Sequence, residues 1–378
     1  MKKIKDFLTI ILFGAVIFGF SVAFAITPDG DISKSERRRL KQAPEISVKT
    51  IMSKSFSEEL EEYFLDQFPK RDWFRKINDN VRYTVLKQSD VNGLWTRNGS
   101  IFKYEGDLKP DQVKYGSSII NRVIKTNLSG MNVYYSVIPD KNYYIKGDGY
   151  HPEFDYDSML KILKENVAGA EYIDIFGELD LYDYYRTDTH WSQDKIFPVV
   201  KKLAETMGNA ENLTPYDAYK KNEMYPFYGV YWGQAALGDK PDTLKFLTSQ
   251  YTENAKVSGI DPEILKKEFG VEYDLDDKVY ALDRFEGIDG YDLYLSGAQP
   301  IVSIECENAK TDRELIIFRD SYGSSIAPLF TGAYKKITLV DLRYIPTMLL
   351  DRFVDFKEGG DVLFLYSTTF LNSSMLMR

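Results

Sequence analysis

Four short stretches of almost unbroken apolar residues, at 132–139, 314–318, 336–340 and 361–366, set the tightest limits on how this chain can fold. Runs of this length and composition read as strands covered on both faces. Between them lie segments of helical period, at 110–127, where Pro110 suits a first helical position, and at 159–167. A further short strand is expected at 172–176, and Asn98-Gly99 between 91–95 and 101–102 marks a hairpin. Apolar strands alternating with helices predict an α/β fold built on a mostly parallel sheet. In such sheets chemistry gathers beyond the carboxyl ends of the strands.

The run 186–192, Arg-Thr-Asp-Thr-His-Trp-Ser, holds one of only two histidines in 378 residues. Asp188 and His190 are two apart, so in an extended segment their side chains leave the same face and the carboxylate can reach the ring. Such a pair is half of an acyl-transfer triad, in which the carboxylate fixes the tautomer and the free nitrogen takes a proton from a hydroxyl. The best hydroxyl is Ser321, where the apolar run 314–318 stops at Arg319-Asp320 and a strand-to-helix turn is expected. Lys141 and Arg343 also follow predicted strands and are candidates for positioning a polar or anionic substrate, with Tyr322 beside the serine as a third. Trp191 either packs to fix the histidine loop or offers a platform to a sugar. His151, beside Pro152 in a polar loop, reads as structural, and a zinc site on His190, Asp188 and His151 fits no known ligand spacing. Ile196, Val199, Val200, Leu203 and Met207 make an amphipathic face with Ser192 as N-cap, and Pro198 requires that helix to kink or to begin there.

Residues 7–26 carry no charge and are long enough to cross a hydrocarbon core as a helix. Lysines precede them and Asp29 and Asp31 follow, so the positive-inside rule places the remainder outside the cytoplasm. A single-pass anchor is the favoured reading, and a signal peptide cleaved near Ala25 is the alternative. Residues 27–50, with Pro28, Pro44 and Arg37-Arg38-Arg39, read as a solvated linker. Two helices separated by Pro69 follow within 51–88, opening a domain that runs to 378. Residues 210–310 break the strand-helix rhythm and read as an aromatic-rich insertion rimming the site, with strand-like runs at 278–282 and 299–304. The net charge of −9 argues against nucleic acid as a partner, because no Lys/Arg stripe is available to neutralise phosphates. The lone Cys306 excludes an intrachain disulfide.

The segment 186–192, followed about 130 residues later by Phe-Arg-Asp-Ser-Tyr-Gly at 318–323, resembles the bacterial DHHW family, relatives of the alginate-acetylation proteins AlgJ and AlgX. Residues 35–40 and 63–72 resemble the segment that follows the anchor in those proteins. Thr189 stands in place of the first histidine of the family's name, and Arg319 where a Gly-Asp-Ser block has glycine. The resemblance implies an SGNH-hydrolase-like three-layer sandwich with the motif order rearranged, His190 preceding Ser321. It implies Ser321 as nucleophile, His190 as general base and Asp188 as its orienting partner, acting without a cofactor. The implied activity is O-acetyl transfer to a cell-surface polysaccharide, with a membrane-bound O-acyltransferase as acetyl donor. An acetylesterase with the same triad, or a non-catalytic glycan-binding scaffold, stays open at this point.

Overall fold

The computed structural model describes residues 2–52, 54–147, 151–238, 240–270 and 274–378. Among them, seven strands form one sheet: β1 (Asn132–Ile138), β2 (Glu171–Ile173), β3 (Lys256–Gly259), β4 (Ile301–Glu305), β5 (Glu314–Arg319), β6 (Lys336–Val340) and β7 (Asp361–Ser367), in the spatial order β2-β1-β7-β5-β6-β4-β3. β2, β1, β7, β5 and β6 are parallel, and β4 and β3 extend one edge by antiparallel pairing. Side chains alternate across the sheet, as a period of two requires. Leu315, Ile317, Leu363 and Leu365 enter one core with Val199, Val200 and Leu203 of the helix Phe197–Thr206. Ile316, Phe318, Val362 and Phe364 enter the other with Val113, Ile120 and Val123 of Pro110–Asn127 and Met159 and Leu163 of Tyr156–Asn166. The result is the expected helix–sheet–helix sandwich.

The hairpin forms as expected, Leu94–Arg97 pairing with Ser100–Lys103 around Asn98 and Gly99, both at positive φ. The helix after the histidine segment begins at Phe197 rather than beside Ser192, because Pro198 fits its first turn and would break its interior. Ser192 instead donates its hydroxyl to Asp194. The stretch 210–310 does more than rim the site, since β3 and β4 belong to it and close the sheet edge. No strand forms at 278–282: the Tyr280 hydroxyl donates to the Leu247 carbonyl, and residues 282–286 coil into a 3-10 turn.

Residues 27–50 are not a free linker. The helices α1 (Lys2–Ile26), α2 (Lys54–Asp66) and α3 (Arg71–Asn80) flank a folded strap, in which Ile32–Ser33 pairs with Arg38–Arg39. Gln67 bonds the backbone of Gly30 at both its N–H and its carbonyl, and Asp66 accepts from Lys41 N at 2.8 Å and from the Arg38 guanidinium at 2.6 and 2.7 Å. These partners satisfy backbone groups that a solvated linker would leave to water. Among the described residues, one helix, within α1, is long and apolar enough to cross a membrane.

Candidate active site

β5 ends at Arg319, and the chain turns at once into the short helix Tyr322–Ile326. Asp320 builds that turn, its two carboxylate oxygens accepting Tyr322 N at 3.1 Å and, from the neighbouring strand β7, Ser367 N at 2.8 Å. The absent glycine of the serine block is therefore no obstacle: Ser321 sits at φ −60°, ψ −25°, an unstrained conformation. Arg319 lies fully buried beneath, beside Asp341.

The Ser321 hydroxyl oxygen lies 2.7 Å from His190 Nε2, and His190 Nδ1 lies 2.6 Å from Asp188 Oδ1. The same Asp188 oxygen accepts the His190 backbone N–H at 2.9 Å. Its other oxygen accepts Val230 N at 2.7 Å and Arg37 Nη1 at 3.2 Å. Burial pushes the Asp188 carboxyl up, but the His190 ring, Arg37 and the His190 backbone N–H outweigh it and hold the group well below the usual carboxylate range. An ionised carboxylate only accepts, so Nδ1 carries the proton and Nε2 presents a lone pair to the serine hydroxyl. This polarity is the one an acyl-transfer base requires.

Aromatic rings fix the imidazole in place. Tyr291 stacks on it, centroids 3.9 Å apart and planes 13° off parallel, and Tyr322 lies against it at 4.8 Å. Ser325 ties the rings together, accepting from Trp191 Nε1 at 2.9 Å and from the Tyr291 hydroxyl at 2.8 Å. Thr189 is not turned away from these groups. Its carbonyl accepts the Tyr322 hydroxyl at 2.7 Å, and its own hydroxyl lies 3.1 Å from the same group.

The four positioning candidates are each engaged by the protein's own groups, Lys141, Trp191 and Tyr322 buried and Arg343 partly exposed. Lys141 is buried, and its ammonium donates to the carbonyls of Tyr185, Arg186 and Asp188 at 2.8–3.2 Å while lying over the rings of Phe102 and Tyr231. Burial draws its pKa down to about 7. Lys141 thus clamps the histidine segment from below. Arg343 donates to both oxygens of the buried Asp341 and lies over Tyr344 and Phe370. Trp191 is fully buried, so it fixes the loop and offers no platform, and Tyr322 is buried beside it. His151 stacks face to face on Trp95 at 3.6 Å.

Three contributors do not stand out in the sequence. Arg37 arrives from the tip of the strap, and besides Asp188 it pairs with Asp289. Gly229 lets the loop bearing Val230 approach, because a Cβ there would lie 2.2 Å from the Thr187 carbonyl oxygen. Tyr291 comes from a segment with no strand or helix period to mark it. Arg37 was marked by its basic triplet and by the resemblance over residues 35–40, neither of which says which arginine turns inward. A shallow recess of about 40 Å³ opens at the end of β1, lined by Trp95, Tyr104, Glu105, Asp140, Phe154 and Thr368 among others, and none of Asp188, His190 or Ser321 lines it.

No protein-family model and no curated protein matches the chain. Among solved structures, the chain is similar to a DHHW family protein from Eubacterium siraeum, at 21% identity and a TM-score of 0.58, over 75% of this chain and 93% of that one. It is also similar to PatB1 from Bacillus cereus, at 17% identity and a TM-score of 0.58, over 75% and 98% of the two chains. A second PatB1 structure, with a sulfonyl adduct, matches at 18% identity and a TM-score of 0.56, over 75% and 97%. What is shared at these identities is the fold.

Proposed function

We propose that this protein is an extracytoplasmic O-acetyltransferase that carries an acetyl group on Ser321 and delivers it to a hydroxyl of a cell-surface polysaccharide. The observation that carries this reading is the unbroken hydrogen-bonded line Asp188–His190–Ser321, at 2.6 and 2.7 Å, between segments 131 residues apart in sequence. The motif resemblance at 186–192 and 318–323 supplies the acetyl chemistry, and the likeness in fold to a DHHW family protein agrees with it.

In the first half-reaction His190 Nε2 takes the Ser321 proton while the serine oxygen attacks the acetyl carbonyl. The tetrahedral oxyanion collapses, the bond from acetyl carbon to donor oxygen breaks, and His190 returns the proton to the leaving donor. In the second half a sugar hydroxyl gives its proton to Nε2, its oxygen forms the new ester bond, and Ser321 leaves and recovers a proton. The imidazolium formed in each half is stabilised by the ionised Asp188. The Ser321 backbone N–H, at the start of a helical turn, serves as one oxyanion donor. By the same resemblance, a membrane-bound O-acyltransferase supplies the donor, and the lysine-flanked apolar helix α1 holds the protein at the outer face of the membrane.

The test is intact mass of the full chain after exposure to an activated acetyl ester, wild type beside Ser321→Ala, with acetate and acetylated glycan followed in the same samples. A serine-dependent adduct of one acetyl group that passes to glycan is the expected result. Serine-dependent release to water alone, whatever glycan is offered, would make the protein an esterase. No adduct in a folded, glycan-binding protein would leave it a scaffold.

A further inference from the structure

The helices α2 and α3 are built inside out. On α3, Arg71, Arg75 and Asp79 recur every four residues and face the rest of the protein. Arg71 and Arg75 pair with Glu36, Arg75 donates to the Gly233 carbonyl at 2.9 Å, and buried Asp79 accepts Ala236 N at 2.9 Å. The apolar residues lie on the other side and face outward, with Trp73 59% exposed, Ile77 41% and Val81 42%. At the end of α2, Asp66 and the next residue, Gln67, bind the strap while Phe64 and Leu65, 47% and 60% exposed, face out. A helix on a water-facing surface turns its apolar stripe to the core, so this reversal marks contact with an apolar medium.

The N-terminal helix says which medium. Phe20 of α1 packs on Phe68 and Phe74 at 5.2 and 5.6 Å, and Phe24 packs on Phe64 and Tyr63 at 5.1 and 5.7 Å. Phe20 lies six residues before the end of α1 at Ile26, about 9 Å along the helix axis at 1.5 Å per residue. Side chains level with Phe20 therefore sit as deep as the apolar face of an interfacial helix, roughly 5–10 Å into the headgroup and acyl boundary. Trp73 is placed as interfacial tryptophans are. Glu58, Glu61 and Glu62 are exposed on the face that Leu65 continues, so only the last turn of α2 can enter an apolar medium, and attraction to anionic lipid is not what holds it.

We propose that the last turn of α2, α3 and the turn that follows α3 form a second membrane element, lying in the outer interface beside α1 with Phe64, Leu65, Trp73, Ile77 and Val81 inserted among the lipids. The strap that joins α1 to α2 also delivers Arg37 to Asp188, so the bilayer contact sets the position of the triad relative to the membrane.

Trp73 is the exposed member of four tryptophans, Trp95, Trp191 and Trp232 being buried, which makes it a built-in probe. The full chain is reconstituted in phosphatidylcholine vesicles brominated either near the headgroup end or near the terminus of the acyl chains. The Trp73 signal is the emission difference between wild type and Trp73→Phe. A shift to shorter wavelength, with stronger quenching by the shallow bromines than by the deep ones, is expected. Water-like emission unquenched by either lipid, in protein that floats with the vesicles, overturns the proposal. Trp73 open to iodide in vesicles but shielded in native membranes overturns it in favour of a protein partner on this face.

Discussion

The strand-end site and the N-terminal helix pair handle polarity in opposite ways. At the site, charged groups are buried and matched: Asp188 has His190, Arg37 and two backbone N–H groups, and Lys141 has three carbonyls. In the helix pair the matched charges also point inward, but large apolar side chains are left outside. The contrast teaches that burial of charge here follows from partners rather than from the hydropathy of the segment. It also separates two solvents, a protein interior that preorganises chemistry and an apolar exterior that the helix pair is shaped to meet. One strap serves both, fastened to α2 by Asp66 and Gln67 and to the site by Arg37.

The largest effect that would break this contrast is at Asp188. Asp188→Asn removes the acceptor that fixes the His190 tautomer, and acetyl transfer should fall about 10⁴-fold in kcat with the fold retained. A loss under tenfold in a steady-state assay would take the triad reading down with it. Arg37→Gln should cost about 10–150-fold, as expected for a charge-assisted hydrogen bond of roughly 1.5–3 kcal/mol. Because Arg37 acts through Asp188, the double variant should lose little beyond Asp188→Asn alone, whereas additive losses would show a separate role for the strap.

Lys141→Met keeps the volume but leaves three carbonyls without their donor, for an expected loss of about 1–3 kcal/mol in denaturant unfolding. The loss should depend on pH. With a folded pKa of about 7 against an unfolded value near ~10.4, the unfolded wild type binds more protons between those limits. Wild-type stability should therefore rise relative to the variant as pH goes from 7 towards 10, and stay level below about 7, where both states hold the proton. A difference flat across that range would show that the clamp keeps its proton when buried.

The smallest effects sharpen the comparison by reversing the usual rule. Ile77→Ser, on the outward face, should change the unfolding free energy of the detergent-solubilised chain by no more than about 0.5 kcal/mol while weakening vesicle association of the helix pair. Asp79→Ala should cost about 1–3 kcal/mol, because it strands the Ala236 N–H. If the isoleucine proved the costlier of the two, the apolar face would belong to the protein's own core.

The strands were legible because β1, β5, β6 and β7 are covered on both faces, which forces a run of apolar residues that no helix of that length imitates. Asp188 and His190 were legible as a local pair because they are two apart, although the segment bends and Asp188 Oδ1 also accepts the His190 N–H, where an extended strand was expected. The pairing of His190 with Ser321 was suggested by motif and strand-end logic, but only the parallel sheet brings the two segments together. Lys141 and Arg343 were placed correctly at strand ends and given the wrong task, because sequence reports a charge without its partners. The strap was read as solvated for the same reason: Arg37, Arg38 and Arg39 are equivalent in composition, and only tertiary structure sends Arg37 to Asp188 and Arg38 to Asp66. What the sequence determined by itself is whatever period and local geometry enforce: an α/β sheet, an apolar N-terminal helix and an Asp-x-His pair. What the tertiary structure alone decided is which charge meets which and which apolar face is left uncovered, because those depend on contacts between residues tens to hundreds of positions apart.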